Sequence, residues 1–536
     1  MSKAIFKSIS ENIEDADNYL KLADYYVDIN LNQAYLSLEN AMFYENDPDK
    51  VKNIRMMIDE IKKSGKISVA QSSFVILSFR NLEYTKKCIE SIRITCCPGS
   101  YEIIVVDNAS GPEVVAWLQE QSDIKLILNE ENLGFPAGCN QGIRAASEGN
   151  DIFLLNNDTV MLPNSLYCLR MALYSDTSVG AVGAMGSHVP NGQKEPGMDT
   201  LEQCIDHALR NNIPDPSGYE KKVWLVGFAF LIRNDVWKKV GYLDERFSPG
   251  NYEDNDYSLR IIENGYKNIL CHNCLIVHYG GKGFSTTTNN QSYMDLCKLN
   301  NGKLNEKWGF NVSYYGNPRK DLIDFIEKDH PDHNDEFSVL ECGCGMGSTL
   351  IRIQYLYPNV SVHGIELMER PASLGANICD IELGNIEEIE WNEMEKSFDY
   401  IIFGDVIEHL VDPYGIMRNC RAVLKKNGKV IASIPNIMHY SVIIPLLKGY
   451  FPFERAGIRD YTHLHNWTMS NIYEMFDECG YSIEEVKCSV LQKAVTDKFI
   501  EEDDWIWFQR LIDRSETAEE WQFNAYQYLV QAKKLD

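Results

Sequence analysis

The spacing of apolar and polar positions changes twice along the chain. Up to about residue 66 the apolar residues recur at helical intervals and glycine is scarce. From Ser73 onward, short apolar strands alternate with amphipathic segments, as in FVILSF, EIIVVD, IKLILN and DIFLLNND. The pattern loosens after about residue 300, and a second series follows with FSVLECG, VSVHGIEL, FDYIIFGDV and KVIASIPN. Because the strand intervals suit parallel-sheet crossovers, the chain is expected to be α/β with two domains.

These shifts predict four regions: a helical element over 1–66, an α/β domain over 72–313, a second over 314–490, and a helical C-terminal brace over 491–536. In the first region, helically spaced residues resemble one tetratricopeptide repeat: Tyr19, Leu22, Ala23, Tyr26, Ala34, Leu38, Ala41 and Pro48. A plain helical hairpin fits equally well, and either would have to pack on the next domain. The brace is inferred from the helical spacing of Trp505, Trp507 and Trp521.

Composition narrows the classes of partner. The 536 residues include 51 Lys and Arg against 78 Asp and Glu, a formal charge of -27, which repels nucleic-acid backbones and anionic lipids. No signal segment and no apolar run of about 18 residues occurs, so we expect no membrane span and a cytoplasmic protein. The 15 cysteines lack disulfide-like spacing. The pair Cys271 and Cys274 has no second pair with ligand spacing, so small buried hydrophobes are the main interpretation and a metal or redox site the minor one.

The stretch VLECGCGMGS, residues 339–348, admits two interpretations. Its two cysteines look like half of a metal site, whereas Gly343, Gly345 and Gly347 between a strand and a helix suit a backbone that lies against a nucleotide. About twenty residues later the next strand ends at Glu366, where an acid can accept hydrogen bonds from both ribose hydroxyls. The glycine loop together with this acid favours the nucleotide.

These motifs, with the later FGDVIEHL, resemble a class I S-adenosylmethionine-dependent methyltransferase over residues 314 to about 490. The resemblance implies a Rossmann-like fold. It also implies that a set of residues binds the cofactor: Glu341, Gly343, Gly345, Glu366 and Asp405. Asn385 or Glu387 would lie near the adenine, and the methyl acceptor would bind around Asn436 and His439.

A DxxEH cluster leaves the methyl-transfer chemistry open. Asp405, Glu408 and His409 fall on a predicted strand-to-helix turn, and DYTHLHNWT adds His463 and His465. The main interpretation is a general base, His409 or His439, that deprotonates a sugar hydroxyl. The alternative is a metal ion bound by these mixed oxygen and nitrogen ligands beside the hydroxyl.

In the first α/β domain, DIFLLNNDT ends a strand with Asn156, Asn157 and Asp158. An acid at that position can hold Mg²⁺ or Mn²⁺ against a diphosphate, although Asn and Asp are also ordinary turn residues. In YEDNDYSLR, Glu253 and Asp254 open a helix, where a carboxylate can serve as a base or simply complement the helix dipole.

Seven motifs in order resemble a family 2 inverting glycosyltransferase of the GT-A fold, in its rhamnosyltransferase-like branch, over residues 72–313: FVILSFRNLEYTKKCIESI, VVDNAS, NLGFPAGCNQGI, LLNNDT, WLVGFAFLIR, YEDNDYSLR and VHYGGKG. The resemblance implies a set of donor-binding residues: Ser78, Asp107, Asn132, Gly134 and Asn156. Asp158 and His278 would bind Mn²⁺ or Mg²⁺. Asn156 replaces the usual first Asp of the metal triplet. Asp254 matches the family's base, Glu253 is a second catalytic candidate, and Trp224 and Gly227 would border the acceptor.

Together these resemblances predict a bifunctional enzyme that transfers a sugar from a nucleotide sugar to a glycan or glycoprotein and O-methylates a sugar hydroxyl, as in surface polysaccharide or flagellin-type glycan synthesis. The pairing of the two reactions is inferred from the fusion alone. The alternative is a scaffold with degenerate catalytic halves whose helical N-terminus recruits glycan enzymes. Asp158, Asp254, His278 and Glu366, all present, argue against that alternative.

Overall fold

The computed structural model describes residues 2–190, 192–280, 290–490, 500–514 and 519–536. The chain divides into two compact units, Met1–Val312 and Ser313–Asp536. The sequence pattern places this boundary near residue 314. None of the helices in the described ranges combines the length and apolar character needed to cross a membrane.

The first unit contains one large sheet flanked by helices. Its helices are α1 (Ser2–Glu11), α2 (Ala16–Tyr26), α3 (Leu31–Tyr44), α4 (Pro48–Lys63), α5 (Leu82–Thr95), α6 (Pro112–Gln119), α7 (Phe135–Ala145), α8 (Ser165–Leu173), α9 (Leu201–Asn211), α10 (Asn234–Val240), α11 (Glu253–Glu263) and α12 (Asn290–Trp308). Its strands are β1 (Ser72–Ser78), β2 (Tyr101–Asn108), β3 (Ile124–Asn129), β4 (Asp151–Asn156), β5 (Thr159–Val160), β6 (Val179–Gly186), β7 (Tyr219–Lys222), β8 (Ala229–Ile232) and β9 (Lys267–His278).

Strand order decides which side chains share an edge of this sheet. The order is β3-β2-β1-β4-β8-β6-β9-β5, with β7 on β9, and β3, β2, β1 and β4 run parallel. Ser78 lies opposite Asp107, and Leu77 opposite Asn156. The carboxyl ends of β1, β2 and β4 therefore meet at one edge, where open α/β sheets bind their ligands.

The four N-terminal helices are part of the first unit. Their buried apolar residues belong to the same core cluster as those of β1 and β2. Polar contacts fasten α3 to α8: Glu39 pairs with the buried Arg170, and the Gln33 side-chain amide donates to the Met171 carbonyl (3.1 Å). Since one helical pair cannot bury its own apolar face, this packing is what stabilises the element.

The second unit also contains one sheet. Its helices, including one that crosses the division, are α13 (Val312–Gly316), α14 (Lys320–Asp329), α15 (Ser348–Leu356), α16 (Glu369–Gly375), α17 (Pro413–Val423), α18 (Tyr440–Leu447), α19 (Met469–Glu478), α20 (Glu502–Ile512) and α21 (Glu520–Asn524). Its strands are β10 (Ser338–Cys342), β11 (Ser361–Glu366), β12 (Ile381–Leu383), β13 (Phe398–Gly404), β14 (Leu424–Pro435), β15 (Tyr481–Ser489) and β16 (Gln527–Lys534). The order is β12-β11-β10-β13-β14-β16-β15.

The predicted helical brace over 491–536 is wrong for its last part. Trp505, Trp507 and Trp521 do lie on α20 and α21, but Gln527–Lys534 forms β16, which is antiparallel to both neighbours, β14 and β15. Five consecutive residues of β16 are buried. A strand that is buried on both faces lacks the alternation of apolar and polar residues by which strands are recognised in a sequence. For this reason the short segment that forms β16, which follows two helices rich in aromatic residues, was not predicted as a strand.

Candidate functional sites

The nucleotide end of the first site is formed by residues at the ends of β1 and β2. Asp107 is fully buried; its Oδ2 accepts from the Ser110 N–H (3.0 Å), while its Oδ1 has no hydrogen-bond partner. The Ser78 and Ser110 hydroxyls lie 3.3 Å apart. A buried oxygen without a partner at a ligand-binding edge can accept a hydroxyl, as the proposed contact with ribose requires.

Asn132 and Gly134 shape the turn that leads into α7. The Gly134 N–H donates to Asn132 Oδ1 (2.9 Å), which also accepts from Asn108 Nδ2 (3.1 Å). Gly134 has a φ of 83°, and a Cβ there would lie 2.9 Å from the Pro249 Cα. Only glycine fits, because both the dihedral and the contact exclude a side chain.

Asp158 and His278 meet where β5 pairs with the end of β9. Asp158 Oδ1 lies 3.4 Å from His278 Nε2, and both residues are buried. His278 Nδ1 is 2.9 Å from the His188 carbonyl, which can only accept, so Nδ1 carries a proton and Nε2 is the nitrogen that can present a lone pair. Asn156 Nδ2 lies 3.4 Å from the same nitrogen. A carboxylate and an imidazole lone pair that face one another fit a divalent cation.

Glu253 and Asp254 open α11 with different surroundings. Asp254 Oδ2 accepts from the Gly227 N–H (2.8 Å) and Oδ1 from the Asn255 N–H (2.9 Å), whereas Glu253 Oε2 is buried without a hydrogen-bond partner. Burial raises the pKa of both carboxyls, and that of Glu253 well above its usual range because the Asp254 charge adds to the effect of burial. Both Asp254 oxygens accept a backbone N–H, which favours the charged form of that carboxyl, whereas Glu253 Oε2 has no such donor.

Two buried amides near this pair were not predicted. Gln193 Oε1 accepts from the Val226 N–H (2.8 Å), next to Gly227, and Asn300 Nδ2 donates to the Phe247 carbonyl (2.8 Å). Each stands in a polar stretch with no motif of its own. Trp224 is buried beside the same loop.

Two further sequence predictions concern the cysteine pair Cys271 and Cys274 and the motif VHYGGKG. Cys271 and Cys274 are buried free thiols on β9, and the Cys274 Sγ lies 3.4 Å from the Ser165 carbonyl, so packing accounts for both. The last three residues of VHYGGKG, 281–283, lie outside the described residues.

In the second unit, the glycine loop after β10 lies against backbone. Gly345 has a φ of 57°, and a Cβ there would lie 2.6 Å from the Tyr315 carbonyl oxygen. Gly343 also has a positive φ, 72°. The Gly345 and Met368 N–H groups each donate to Glu366 (2.8 Å). Glu366 therefore lies beside the loop at the end of β11, as a ribose-binding acid should.

The cysteines of this loop, Cys342 and Cys344, are buried free thiols. Glu341, near the end of β10, is buried, and its Oε2 has no hydrogen-bond partner. Burial raises the pKa of Glu341 to about 8. A buried acid with an open oxygen beside a glycine loop fits a bound cation such as the amino group of an amino acid.

Asp405 follows β13 with a φ of 58°. Its Oδ1 accepts from the Ser433 hydroxyl (2.5 Å) and from Gln527 Nε2 (2.7 Å), and its Oδ2 from Arg319 Nη1 (2.9 Å). Neither Arg319 nor Gln527 was singled out from the sequence, since both are distant in the chain and carry no motif. Asp405 is therefore an anchored carboxylate.

Glu408 is buried, and neither of its carboxylate oxygens has a hydrogen-bond partner. One ligand atom each from Glu408, His409 and His463 lie within 4.8 Å of one another, and no other group of three or more His, Cys, Asp or Glu residues in the described ranges could hold a metal ion. His409 Nδ1 lies 3.3 Å from the Thr462 carbonyl, which can only accept, so Nε2 is the ring nitrogen available as a ligand. Burial, and then the Asp405 charge, raise the pKa of Glu408 well above its usual range. His465 is outside this cluster.

The hydrogen bonds and the pKa of His439 differ from those expected of a general base. Its Nδ1 accepts from the Ser441 N–H (3.3 Å) at the start of α18, so its proton is on Nε2, which is buried without a partner. Burial, with a smaller contribution from Arg459, lowers its pKa to about 4. The ring is therefore neutral at pH 7 and offers an N–H donor. Asn436 is engaged elsewhere, because its Nδ2 donates to the Ala525 carbonyl (2.8 Å).

The two candidates near adenine make local contacts. Glu387 Oε1 accepts from the backbone N–H groups of Val411 (2.9 Å) and Asp412 (3.0 Å). Asn385 Nδ2 donates to Glu388 Oε1 (2.9 Å). Both side chains thus make hydrogen bonds within the protein. An adenine contact at either position remains a prediction.

Comparison with known proteins agrees with both resemblances. Residues 73–241 match the model of glycosyl transferase family 2, and residues 314–486 match that of a methyltransferase domain. A demethylmenaquinone methyltransferase of Listeria monocytogenes is 26% identical over 168 residues, which are 27% of this chain and 70% of that protein. A ubiquinone biosynthesis O-methyltransferase of Rickettsia bellii is 26% identical over 213 residues, 39% of this chain and 87% of that protein.

Among solved structures, the mannosyltransferase PcManGT of Pyrobaculum calidifontis, in complex with GDP-Man and Mn²⁺, is 14% identical with a TM-score of 0.31. The match covers 47% of this chain and 71% of that one. The two family matches confirm the prediction of two transferase domains, and the sheet and helices of each unit confirm its α/β class. The chain thus combines a glycosyl transferase family 2 domain, over residues 73–241, with a methyltransferase domain, over residues 314–486.

Proposed function

We propose that the first unit transfers a sugar from a nucleotide-sugar donor to a hydroxyl of a glycan or glycoprotein with inversion, and that the second O-methylates a sugar hydroxyl. Both reactions would take place in the cytoplasm, in the synthesis of a surface polysaccharide or a flagellin-type glycan. The observation that carries the proposal is the hydrogen bonding of the acidic pair in the first unit: both Asp254 oxygens accept a backbone N–H, whereas Glu253 Oε2 is buried without a hydrogen-bond partner.

In the first unit, Asp254 takes the proton from the acceptor hydroxyl as that oxygen attacks the anomeric carbon opposite the leaving diphosphate. The Gly227 N–H holds one of its oxygens in place. Ser78 and Asp107 bind the base and ribose, and Asn132 and Gly134 border the diphosphate. A divalent cation held by Asp158 and His278 would neutralise charge on the leaving group.

In the second unit, Glu366 binds the ribose hydroxyls and Glu341 the amino group of S-adenosylmethionine, around the loop of Gly343 and Gly345. When bound, this cofactor supplies an electrophilic methyl group on a sulfonium. The Asp405 carboxylate, held by Arg319 and Gln527, lines the pocket near the methionine end.

Two residues of the second unit would contact the methyl acceptor. His439 Nε2–H donates a hydrogen bond to the acceptor, because its other nitrogen already accepts at the helix start. His409 is the base if no metal binds.

The cluster of Glu408, His409 and His463 supports the metal alternative for the second unit. A buried carboxylate with two open oxygens is costly unless a proton or a cation compensates it, and two imidazoles next to it suit a first-row transition metal. A cation there would lower the pKa of the acceptor hydroxyl. We therefore expect methyl transfer by the full-length protein to be lost after chelation and restored by Mn²⁺ or Zn²⁺, as measured with a glycosylated acceptor.

The experiment that tests the whole proposal is incubation with a panel of nucleotide sugars and candidate acceptors, followed by mass analysis. The expected product gains one sugar, and on addition of S-adenosylmethionine one methylene. Slow hydrolysis of one nucleotide sugar in Mn²⁺ without an acceptor would already separate an enzyme from a scaffold. A protein that neither hydrolyses nor transfers any donor in the panel would contradict the proposal.

A further inference from the structure

The loop of residues 247–252 leads directly into the acidic pair at the start of α11. Its last two residues, Asn251 and Tyr252, have left-handed φ values of 73° and 74°. For residues other than glycine this conformation is unfavourable, because the Cβ comes close to the following carbonyl oxygen. Two such residues in succession persist only where the surrounding structure holds them.

One buried side chain from outside the loop gathers its carbonyl groups. Asn300 on α12 is fully buried, and its Nδ2 lies 2.8 Å from the Phe247 carbonyl oxygen, 2.9 Å from that of Gly250 and 3.2 Å from that of Asn251. Its Oδ1 has no hydrogen-bond partner. Because burial of that oxygen is unfavourable, the contacts made by the N–H groups are what favour an amide here.

The loop also contacts the turn at Asn132 and Gly134 that leads into α7. We call this turn the donor turn, because these two residues are proposed to border the diphosphate of the sugar donor. The Phe135 N–H at the start of α7 donates to the Pro249 carbonyl (2.8 Å), and the Pro249 Cα occupies the space that a Cβ at Gly134 would need. One loop therefore contacts the donor turn on one side and continues into Asp254 on the other. A displacement of this loop would move the base relative to the donor.

Further contacts tie α12 to the flanks of the loop. Lys303 Nζ donates to the Arg246 carbonyl (2.7 Å), and Lys307 Nζ lies 2.6 Å from Asp256 Oδ1. The Trp308 indole N–H donates to the same Asp256 oxygen (3.0 Å). The helix α12 therefore contacts the chain on both sides of the loop, at Arg246 before it and at Asp256 after it.

We propose that α12, through Asn300, is the positioning element that sets the loop of residues 247–252 and with it the placement of Asp254 relative to the donor turn at Gly134. Asn300 acts through the loop and is a positioning residue, not a catalytic one. The helix lies beyond residues 73–241, which match the family model. The kinetic part of this inference rests on the proposed role of Asp254 as base.

The test is Asn300→Asp in the full-length protein, since Asp has the same shape but no N–H groups to donate. Small displacements of a base are costly, so we expect kcat for sugar transfer to fall about tenfold or more. Hydrogen exchange at the Phe135 amide should accelerate, because its acceptor Pro249 belongs to the loop. The matched control is Asn305→Asp on the same helix, whose oxygen accepts from the Val312 N–H (2.9 Å) and is retained; both readouts should stay at the wild-type level.

A merely structural effect would appear elsewhere in the first unit, so exchange of the β1 and β2 amides is measured in parallel and is expected to be unchanged. If Asn300→Asp does not fold, Asn300→Ala removes the same donors without a buried charge. Unchanged Phe135 exchange, or equal acceleration across β1 and β2, would overturn the inference. The exchange readout needs no substrate, so its failure is distinct from failure of the proposed function, which would appear as full activity in Asp254→Asn.

Discussion

Each unit contains two neighbouring acidic side chains: in one, both carboxylate oxygens accept hydrogen bonds, and in the other at least one buried carboxylate oxygen has no hydrogen-bond partner. We call the first acid anchored and the second unanchored. In the first unit Asp254 is held by two backbone N–H groups, while Glu253 has a buried oxygen without a partner. In the second, Asp405 is held by Arg319, Ser433 and Gln527, while Glu408 has two such oxygens. The two unanchored acids differ in their neighbouring residues, since only Glu408 lies beside two histidines.

This difference indicates how each unit compensates a buried carboxyl. A carboxylate without hydrogen bonds in an apolar environment must take up a proton or pair with a cation. Glu253 lies beside the Asp254 carboxyl, and burial together with that charge raises its pKa, so in the proposed mechanism Glu253 takes up the proton and Asp254 acts as the base. Glu408 has ligands on two sides and can share a cation. In the proposed mechanisms, one type of buried acid therefore serves two different chemistries.

The largest effect is expected from removal of the anchored base of the first unit. Asp254→Asn keeps the shape of the side chain and can keep the Gly227 contact, but it cannot take up a proton. We expect the transfer rate to fall by about 10² or more with donor binding nearly unchanged. Initial rates and a donor-binding isotherm would measure the two quantities. A normal rate would assign the base to another residue of the cluster, Glu253 first.

The second prediction tests whether the two units work independently. Glu366→Ala removes the acceptor for the ribose hydroxyls, and the loss of two hydrogen bonds to a charged group should weaken S-adenosylmethionine binding by about a hundredfold. Sugar transfer should stay within a few-fold of normal, since the first unit has its own sheet and ligand loop. Calorimetric titration with the cofactor and a parallel transfer assay would decide. Glu382→Ala, at an exposed acid on the next strand, is the control; loss of both activities in Glu366→Ala would argue for a shared core.

The sequence predicted what depends on local patterns and missed what depends on distant partners. The strand series and the glycine loops at Gly134 and Gly345 were readable because each needs only neighbouring residues. The anchoring of Asp405 was not, because Gln527 comes from a strand 122 residues further along the chain. Asn300 likewise holds a loop some 50 residues earlier. Whether a buried oxygen has a partner, which separates Glu408 from Asp405, is a property of the packed structure alone.

The third prediction concerns a histidine whose proton position follows from its partners. His439 has a pKa lowered to about 4, so the unfolded chain binds its proton more readily and stability falls as the pH drops from about 6.5 toward 4. At pH 5 this residue alone should cost the second unit about 2 kcal/mol relative to pH 7. The charged group that faces it is Arg459, which acts in the same direction as burial.

His439→Asn isolates this contribution, since Asn also serves well as a helix N-cap but does not titrate. Scanning calorimetry of the full-length protein at pH 7 and pH 5 would measure it, with the transition of the second unit identified by its shift on adding S-adenosylmethionine. The variant should lose less stability between the two pH values than the wild type. An equal loss in both proteins would show that the ring is already charged, or exposed, in the folded state.

The smallest effect is expected from the unanchored acid of the first unit, and it sharpens the comparison most. If Glu253 carries a proton at pH 7, Glu253→Gln replaces one neutral group by another of similar shape, so the transfer rate should stay within about threefold of normal. The same change at the unanchored acid of the second unit, Glu408→Gln, should abolish metal binding there, because an amide is a poor ligand for a transition metal. Transfer kinetics for the first variant and metal content for the second would measure the pair. A hundredfold loss of the transfer rate in Glu253→Gln, with a nearly normal rate in Asp254→Asn, would reverse the assignment of acid and base in the first unit. The metal site of the second unit is tested separately, by the metal content of Glu408→Gln.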